Sequence, residues 1–218
     1  MTDKGYKGVG MEGAIARWYA AGNDRSPDRY SEQVERVREL AGPGSEVLEV
    51  APGPGNLSIA LAGTGDYTVT GLDISRTFVE IARAKAAEAG VQVDFRRGNA
   101  SAMPFGDESF DFVVCCAAFK NFSDPVGALH EMHRVLRPGG HALIVDLRRD
   151  VSRQAVDDDV ARMGISGPSR LFTKYALRSF LRRRAYTRSE FEDFIARTSF
   201  RTYDIHLSPL ALDVDLRK

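Results

Sequence analysis

The chain has 218 residues, of which 43% are hydrophobic and 28% charged, and this composition is typical of a globular protein rather than a disordered or fibrous one. Thirty basic residues balance thirty acidic ones, so the overall charge predicts no polyanionic partner. The N-terminal stretch "MTDKGYKGVG" has no apolar signal-peptide core, and no apolar run approaches ~18 residues, so we expect a cytoplasmic protein.

Two helices are predicted before the first strand. The first covers "GMEGAIARWYAAG" (10–22), and the second covers 28–41, where apolar residues recur at helical spacing until "GPG" ends the pattern.

Strands and helices then alternate up to residue 150. Strands are predicted at 46–50, 67–75, 91–99, 109–119 and 141–150. The helices between them are predicted to start at Asn56, at Ser75 and at Asp124–Pro125. This rhythm favours a parallel sheet with helices on both faces. The adjacent Cys115 and Cys116, the only cysteines, fall in the fourth strand, where they should point to opposite faces and stay reduced.

The rhythm changes after residue 150. Helical patterns cover 151–164 and 169–186, and a clear helix is predicted over 187–200 with Thr187 or Ser189 near its N-cap. The last residues, 201–218, predict two antiparallel strands around a turn at Ser208–Pro209. We expect a single domain.

Ligands of parallel sheets bind beyond the carboxyl ends of the strands. In this chain those ends carry Ala51–Gly55, Asp73, Asn99, Cys116–Asn121 and Asp146.

The loop after the first strand, "EVAPGPG" (49–55), is a partial match to the dinucleotide pattern G-x-G-x-x-G, with Ser58 in place of the third glycine. Backbone N–H groups hold a pyrophosphate in such loops, and Pro52 and Pro54 have no N–H to donate. Glu49 adds a negative charge. The loop therefore favours a ligand that is neutral or cationic at this point.

S-adenosylmethionine is such a ligand, because it carries a sulfonium and an ammonium but no phosphate. Glu49 is suited to bind the ammonium, and the loop glycines let backbone approach the ligand. Asp73 lies 18 residues beyond Gly55, where a carboxylate can accept hydrogen bonds from ribose hydroxyls. The stretch "GNA" (98–100) ends the third strand, where an adenine edge would lie.

Four motifs in this order resemble those of class I S-adenosylmethionine-dependent methyltransferases, and in particular of the small-molecule group. They are "VLEVAPGPG", "GLDIS", "GNASAMPFGDESFDFVVC" and "EMHRVLRPGG", and the resemblance covers about residues 45–150. It implies a Rossmann-like, mostly parallel seven-stranded sheet with an antiparallel last strand. It also implies S-adenosylmethionine as cofactor and S-adenosylhomocysteine as product.

The resemblance also implies a set of cofactor-binding residues. They are Tyr19, Glu49, Ala51, Gly53, Gly55, Asp73, Ile74, Asn99, Ala100 and Cys116. Two of them depart from the family pattern: Ala51 replaces the first glycine, and Asn99 replaces an aspartate at the adenine position. An amide oxygen can accept the adenine amino hydrogen bond as a carboxylate would, so we expect both changes to be tolerated.

The same resemblance divides the single domain into four segments. Residues 1–44 would form an N-terminal lid, 45–150 the cofactor-binding core, 151–186 a cap insertion, and 187–218 the last helix and strand pair. Tyr19 and Trp18 are candidates either for a lid over the cofactor or for packing on the core.

Methyl transfer is an in-line displacement that needs a positioned acceptor, and often a base. Lys120 and Asn121, after the fourth strand, are the catalytic candidates; the alternative is a solvated lysine and a turn-capping asparagine. Asp146 is a further candidate, although pairing with Arg148 or Arg149 is the preferred interpretation. His130 and His133 should lie on an outer helix, and no cluster has metal-ligand spacing. The absence of N-P-P-Y argues against adenine or glutamine-amide acceptors.

The stretch 170–188 carries seven arginines and lysines without an acidic residue. We interpret it as part of a cap over a small-molecule substrate, with its basic face in solvent. A dimer contact, a membrane surface and RNA remain alternatives, and the protein is expected to be a monomer or a homodimer.

Two other classes of function fit parts of the pattern. A nicotinamide-dependent oxidoreductase would use the same fold, but the two prolines oppose a pyrophosphate. A non-enzymatic module of the same fold would bind the cofactor weakly or not at all.

Overall fold

A computed structural model describes residues 5–7, 10–23, 30–162 and 182–218. Within them, seven longer helices flank one sheet. They are α1 (Gly13–Asn23), α2 (Ser31–Leu40), α3 (Asn56–Gly63), α4 (Arg76–Glu88), α5 (Pro125–Val135), α6 (Arg153–Arg162) and α7 (Arg188–Ala196). Short helical turns cover Phe119–Asn121 and Arg182–Arg184.

The strands form a single seven-stranded sheet in the order β3-β2-β1-β4-β5-β7-β6. They are β1 (Glu46–Val50), β2 (Thr68–Asp73), β3 (Asp94–Arg97), β4 (Phe110–Cys116), β5 (Leu136–Leu147), β6 (Thr202–Leu207) and β7 (Ala211–Arg217). The first five pair in parallel, and β7 runs antiparallel to both β5 and β6. The predicted fold class is confirmed, including the antiparallel last strand.

The sheet separates two apolar clusters, as alternation along a buried strand requires. Leu48 packs in a cluster with residues of α5 and α7, and its neighbour Val47 packs with α2 and α3. Cys115 belongs to the first cluster and Cys116 packs against the second, and both are free thiols. The expectation that the two cysteines point to opposite faces is therefore confirmed.

The side chains predicted to start most of these helices do so. Ser75 accepts a hydrogen bond from the Phe78 amide at the start of α4, and Asp124 accepts one from Gly127 at the start of α5. Thr187 and Glu190 form a capping box at the start of α7.

Two local predictions are wrong. Asn56 is the first residue of α3 rather than its cap, because Gly55 takes the N-cap position in a left-handed conformation (φ 83°). β5 begins at Leu136 rather than His141. Residues 136–140 form an irregular start to β5, in which Leu136 pairs with Phe110 of β4 and the register shifts before His141. Gly139 has a φ of 81° and donates to Lys218 O at 3.0 Å.

None of the helices in the described part of the chain combines the length and the apolarity needed to cross a membrane.

Candidate functional site

The carboxyl ends of β2, β1, β4 and β5 meet at one rim of the sheet, and the order of connection reverses between β1 and β4. This is the position where open α/β sheets bind ligands.

Glu49 lies one residue before the end of β1, between Gly71 of β2 and Val114 of β4. Its carboxylate is buried and accepts a hydrogen bond from the Ser58 hydroxyl of α3. Burial raises the pKa of Glu49 to about 7, although the Ser58 hydrogen bonds oppose that rise. A nearby cation would favour the charged form of this carboxyl and lower its pKa.

Asp73 ends β2 and fixes the loop after β1. Its Oδ2 accepts from the Gly53 amide at 2.9 Å, and its Oδ1 accepts from the Ser75 amide at 2.8 Å. Only 5% of Asp73 is exposed. Burial raises its pKa to about 6, against the lowering effect of these two amides. Each carboxylate oxygen has a second lone pair, so the group can still accept hydrogen bonds from a ligand.

The two glycines of the loop, Gly53 and Gly55, are required for different structural reasons. Gly53 has a φ of 57°, and a Cβ there would meet no atom within 4 Å. A Cβ on Gly55 (φ 83°) would lie 2.8 Å from both Ala82 Cβ and Phe95 Cζ. The close packing of α4 and β3 on the loop therefore requires glycine at position 55. Ala51 also has a positive φ of 58°, the backbone conformation that glycine adopts most easily.

Ile74, Asn99 and Ala100 follow the ends of β2 and β3. The Asn99 Oδ1 accepts from the Ser101 amide at 3.0 Å, and Asn99 pairs with Ala102 in an isolated bridge. Gly5 lies against this group: a Cβ on Gly5 would be 2.5 Å from Ile74 Cδ1 and 3.0 Å from Asn99 Oδ1.

Lys120 is buried rather than solvated, and its ammonium forms an ion pair with Asp146 at 2.7 Å. The same ammonium donates to the Ala117 carbonyl. Asp146 also accepts from the backbone amides of Lys120 at 2.8 Å and Leu147 at 2.7 Å.

The expected pairing of Asp146 with Arg148 or Arg149 is therefore wrong. Arg148 binds Asp150 instead, and Arg149 binds Glu190. The Lys120–Asp146 pair joins the turn after β4 to the end of β5.

Asn121 presents its carbonyl to the N-terminal segment, since Lys7 N donates to Asn121 O at 2.8 Å. Cys116 ends β4, and the next residue, Ala117, has a φ of 56° and donates to Val145 O at 2.7 Å. The rim therefore brings together the predicted residues of the β4 end with those of β1, β2 and β3.

Helix α1 lies beside α4, and Tyr19 contacts Phe78 edge-on with ring centroids 5.9 Å apart. Tyr19 is 40% exposed and Trp18 is 70% exposed. Tyr19 thus packs on α4 with one edge and keeps part of its ring accessible, whereas Trp18 faces away from the core.

Sequence reasoning missed several contributors to this rim. In the sequence pattern Ser58 is only the residue that replaces the third glycine, and Tyr6 and Glu12 match no motif. Burial raises the pKa of the Tyr6 phenol, and the charged groups around it are Arg184 and Asp73. A short N-terminal stretch without a periodic pattern cannot reveal a contact 116 residues away, such as that of Tyr6 with Phe122.

His130 and His133 lie on α5, away from the rim, and His133 packs edge-on against Phe200. Among the described residues no group of histidine, cysteine, aspartate and glutamate is arranged to hold a metal ion. Most of the basic stretch, residues 170–181, and the middle of the expected cap lie outside the described residues. Next to them, Arg149, Asp150, Val151, Arg183 and Thr187 line a cavity of about 400 Å³.

The residues of the rim fit S-adenosylmethionine. The buried Glu49, with its raised pKa, offers a site for an ammonium, and Asp73 offers a carboxylate next to the loop glycines. Pro52 and Pro54 remove two of the amides that a pyrophosphate would need.

Comparison with known proteins agrees with this assignment. Residues 48–144 match a family model described as a methyltransferase domain. A demethylmenaquinone methyltransferase of Chlorobaculum parvum is 39% identical over 114 residues, which cover 52% of this chain and 44% of that protein. The chain thus spans less than half of that relative's length.

Solved structures share the fold over nearly the whole chain. A putative S-adenosyl-L-methionine-dependent methyltransferase of Methanococcus maripaludis has a TM-score of 0.77 at 19% identity, covering 97% of this chain and 95% of that one. A methyltransferase of Aquifex aeolicus described as dependent on the same cofactor has a TM-score of 0.70 at 19% identity, covering 92% and 97%.

Proposed function

We propose that the chain is a class I S-adenosylmethionine-dependent methyltransferase and that it transfers a methyl group to a small-molecule acceptor; the match to a methyltransferase domain and the shared fold support this. The cofactor of the family is S-adenosylmethionine. The observation that carries the proposal is the hydrogen bond between the Gly53 amide and Asp73. It joins the glycine loop to the second-strand carboxylate at the point where the sheet order reverses.

Glu49 and Asp73 are assigned to the two ends of the cofactor. Glu49 is assigned to the ammonium, because it is a buried carboxyl near the end of β1 whose ionised form an adjacent cation would stabilise, against the burial that raises its pKa to about 7. Asp73 receives the ribose hydroxyls while its bonds to Gly53 and Ser75 hold it in place. Ile74, Asn99 and Ala100 are assigned to the adenine, and Tyr19 to the lid.

When bound, S-adenosylmethionine supplies a methyl group that is already activated by the sulfonium. The protein's task is then to hold an acceptor in line and to exclude water. Lys120 is assigned a positioning role rather than that of a general base, since its ammonium protons are donated to Asp146 and Ala117. The pair fixes the turn that carries Asn121, whose side chain is assigned to the acceptor.

The small-molecule acceptor is supported by the family and by relatives named as demethylmenaquinone methyltransferases. The names of those relatives give demethylmenaquinone as their own acceptor. The cavity between Arg149 and Arg183 lies next to the rim end of β5 and is a candidate approach for an acceptor.

Calorimetric titration with S-adenosylmethionine, S-adenosylhomocysteine and NADH tests the proposal. We expect micromolar binding of the first two compounds and none of NADH. Asp73→Ala should weaken binding by ~1.5–3 kcal/mol through the loss of charge-assisted hydrogen bonds, while Asp94→Ala, an exposed carboxylate on β3, should leave it unchanged. An absence of binding at millimolar S-adenosylmethionine would overturn the proposal.

A further inference from the structure

Described residues of the N-terminal segment contact two sides of the carboxyl rim of the sheet. We call those that precede α1, residues 5–7 and 10–12, the strap. At one side of the rim Tyr6 pairs with Phe122, and Lys7 N donates to Asn121 O at 2.8 Å. Lys7 also donates to the Tyr186 hydroxyl, and its ammonium lies 4.7 Å from the centre of that ring.

On the other side of the rim the strap forms hydrogen bonds with the start of α4. Glu12 accepts hydrogen bonds from the backbone amides of Arg76 at 2.9 Å and Thr77 at 3.0 Å. These amides belong to the first turn of a helix, where they have no intrahelical acceptor and where a carboxylate is favoured by the helix dipole. Ser75 Oγ also donates to Met11 O at 2.6 Å.

At its N-terminal end the strap meets the part of the candidate site assigned to adenosine. Gly5 is buried against Ile74 and Asn99, close enough that a Cβ would lie 3.0 Å or less from both side chains. Burial raises the pKa of the Tyr6 phenol, and the charge of Asp73 makes a smaller contribution in the same direction. Asp73 itself is only 5% exposed. A base placed against Ile74 and Asn99 would therefore meet Gly5 while the strap is docked.

We propose that the docked strap and the adenosine of the cofactor exclude each other, so that the strap is a built-in competitor that must leave the rim before S-adenosylmethionine binds. The proposal rests on the proposed function, because it uses the assignment of Ile74, Asp73 and Asn99 to adenosine. The measured association constant then equals the intrinsic association constant multiplied by the fraction of molecules in which the strap is open.

Gly5 and Gly10 provide a matched pair of variants. Gly5 has a φ of 65°, and a Cβ there would lie 2.5 Å from Ile74 Cδ1, whereas a Cβ on Gly10 would meet no atom within 4 Å. Gly5→Ala should therefore undock the tip of the strap, since a left-handed alanine is disfavoured and collides with Ile74. Gly10→Ala should leave the strap docked.

The test is calorimetric titration of wild type, Gly5→Ala and Gly10→Ala with S-adenosylhomocysteine. We expect Gly5→Ala to bind about 3- to 10-fold more tightly than wild type and Gly10→Ala to match wild type. Weaker or unchanged binding by Gly5→Ala would overturn the proposal, because a strap that serves as a wall of the occupied site predicts a loss of affinity.

Hydrogen exchange gives an independent readout that does not depend on activity. Saturating S-adenosylhomocysteine should accelerate exchange at the amides of Lys7, Arg76 and Thr77. The Lys7 amide donates to Asn121 O on the rim, and the other two amides donate to Glu12 of the strap. The Phe78 amide, which donates to Ser75 Oγ within α4 at 3.1 Å, serves as the control. Slower exchange at the three amides would contradict competition.

Failure of this inference and failure of the proposed function give different results. If none of the three proteins binds S-adenosylhomocysteine, both the cofactor assignment and the competition are wrong. If all three bind with one affinity, the cofactor assignment stands and only the competition is wrong.

Discussion

At the scale of single residues, the candidate site is dominated by charged groups that the fold has buried. Lys120 and Asp146 have only 6% and 2% of their side chains exposed, and they lie 26 residues apart in the sequence. Neighbouring arginines were the obvious partners of Asp146 by sequence distance. The pairing could not be predicted because it depends on the turn after β4 folding back on the end of β5.

Lys120→Met should destabilise the protein by about 3–5 kcal/mol, because it leaves the Asp146 carboxylate buried without its cation. The double variant Lys120→Met, Asp146→Leu should recover most of that loss. Urea unfolding measures both, with Arg148→Met as the control, since Arg148 pairs with the more exposed Asp150 and should cost no more than about 1 kcal/mol. Equal losses for Lys120→Met and Arg148→Met would argue against a structural role for the buried pair.

At the scale of elements, local chemistry predicted much of the fold and tertiary contacts decided the rest. The bounds of β1 and the caps Ser75, Asp124 and Thr187 followed from residues next to each other in the chain. The start of β5 did not, because it depends on the pairing of Leu136 with Phe110 and on the hydrogen bond from Gly139 to Lys218 O, both distant in sequence. The Asn56 prediction failed because a left-handed Gly55 already occupied the cap position.

Gly55→Ala should destabilise the protein by about 2–4 kcal/mol, since it combines a left-handed alanine with overpacking against Ala82 and Phe95. Gly53→Ala is the matched comparison: its φ is also positive, but a Cβ there meets nothing within 4 Å. It should cost only about 1–2 kcal/mol. Thermal unfolding of the two variants would test the packing argument, which fails if both lose the same stability.

At the scale of the whole molecule, the binding rim lowers stability at neutral pH. Glu49 and Asp73 have pKa values raised by burial to about 7 and about 6, above the usual values of about 4.3 and 3.9 for unfolded chains. At pH values between the unfolded-state and folded-state pKa of each group, the folded state binds more protons than the unfolded state. Both carboxyls therefore reduce the free energy of unfolding as pH rises through this range.

Glu49→Gln should therefore gain stability relative to wild type as pH rises from 5 to 8, by on the order of 2–3 kcal/mol. Below pH 4 the difference should be small, because Glu49 is then protonated in both states. Urea unfolding at several pH values measures the difference, and a difference that stays constant with pH would contradict the buried, protonatable carboxyl. Comparing two proteins cancels the opposite contributions of carboxylates with lowered pKa, such as Asp111 and Glu190.

Trp18 is the only tryptophan in the sequence, and it lies on α1, which follows directly from the strap and packs on α4. With excitation that selects tryptophan over the seven tyrosines, the fluorescence therefore comes from a single indole close to the segment that we expect to move. Its large exposed fraction makes it accessible to a dissolved quencher. A stopped-flow experiment can then follow rearrangement of the N-terminus in real time without any attached dye.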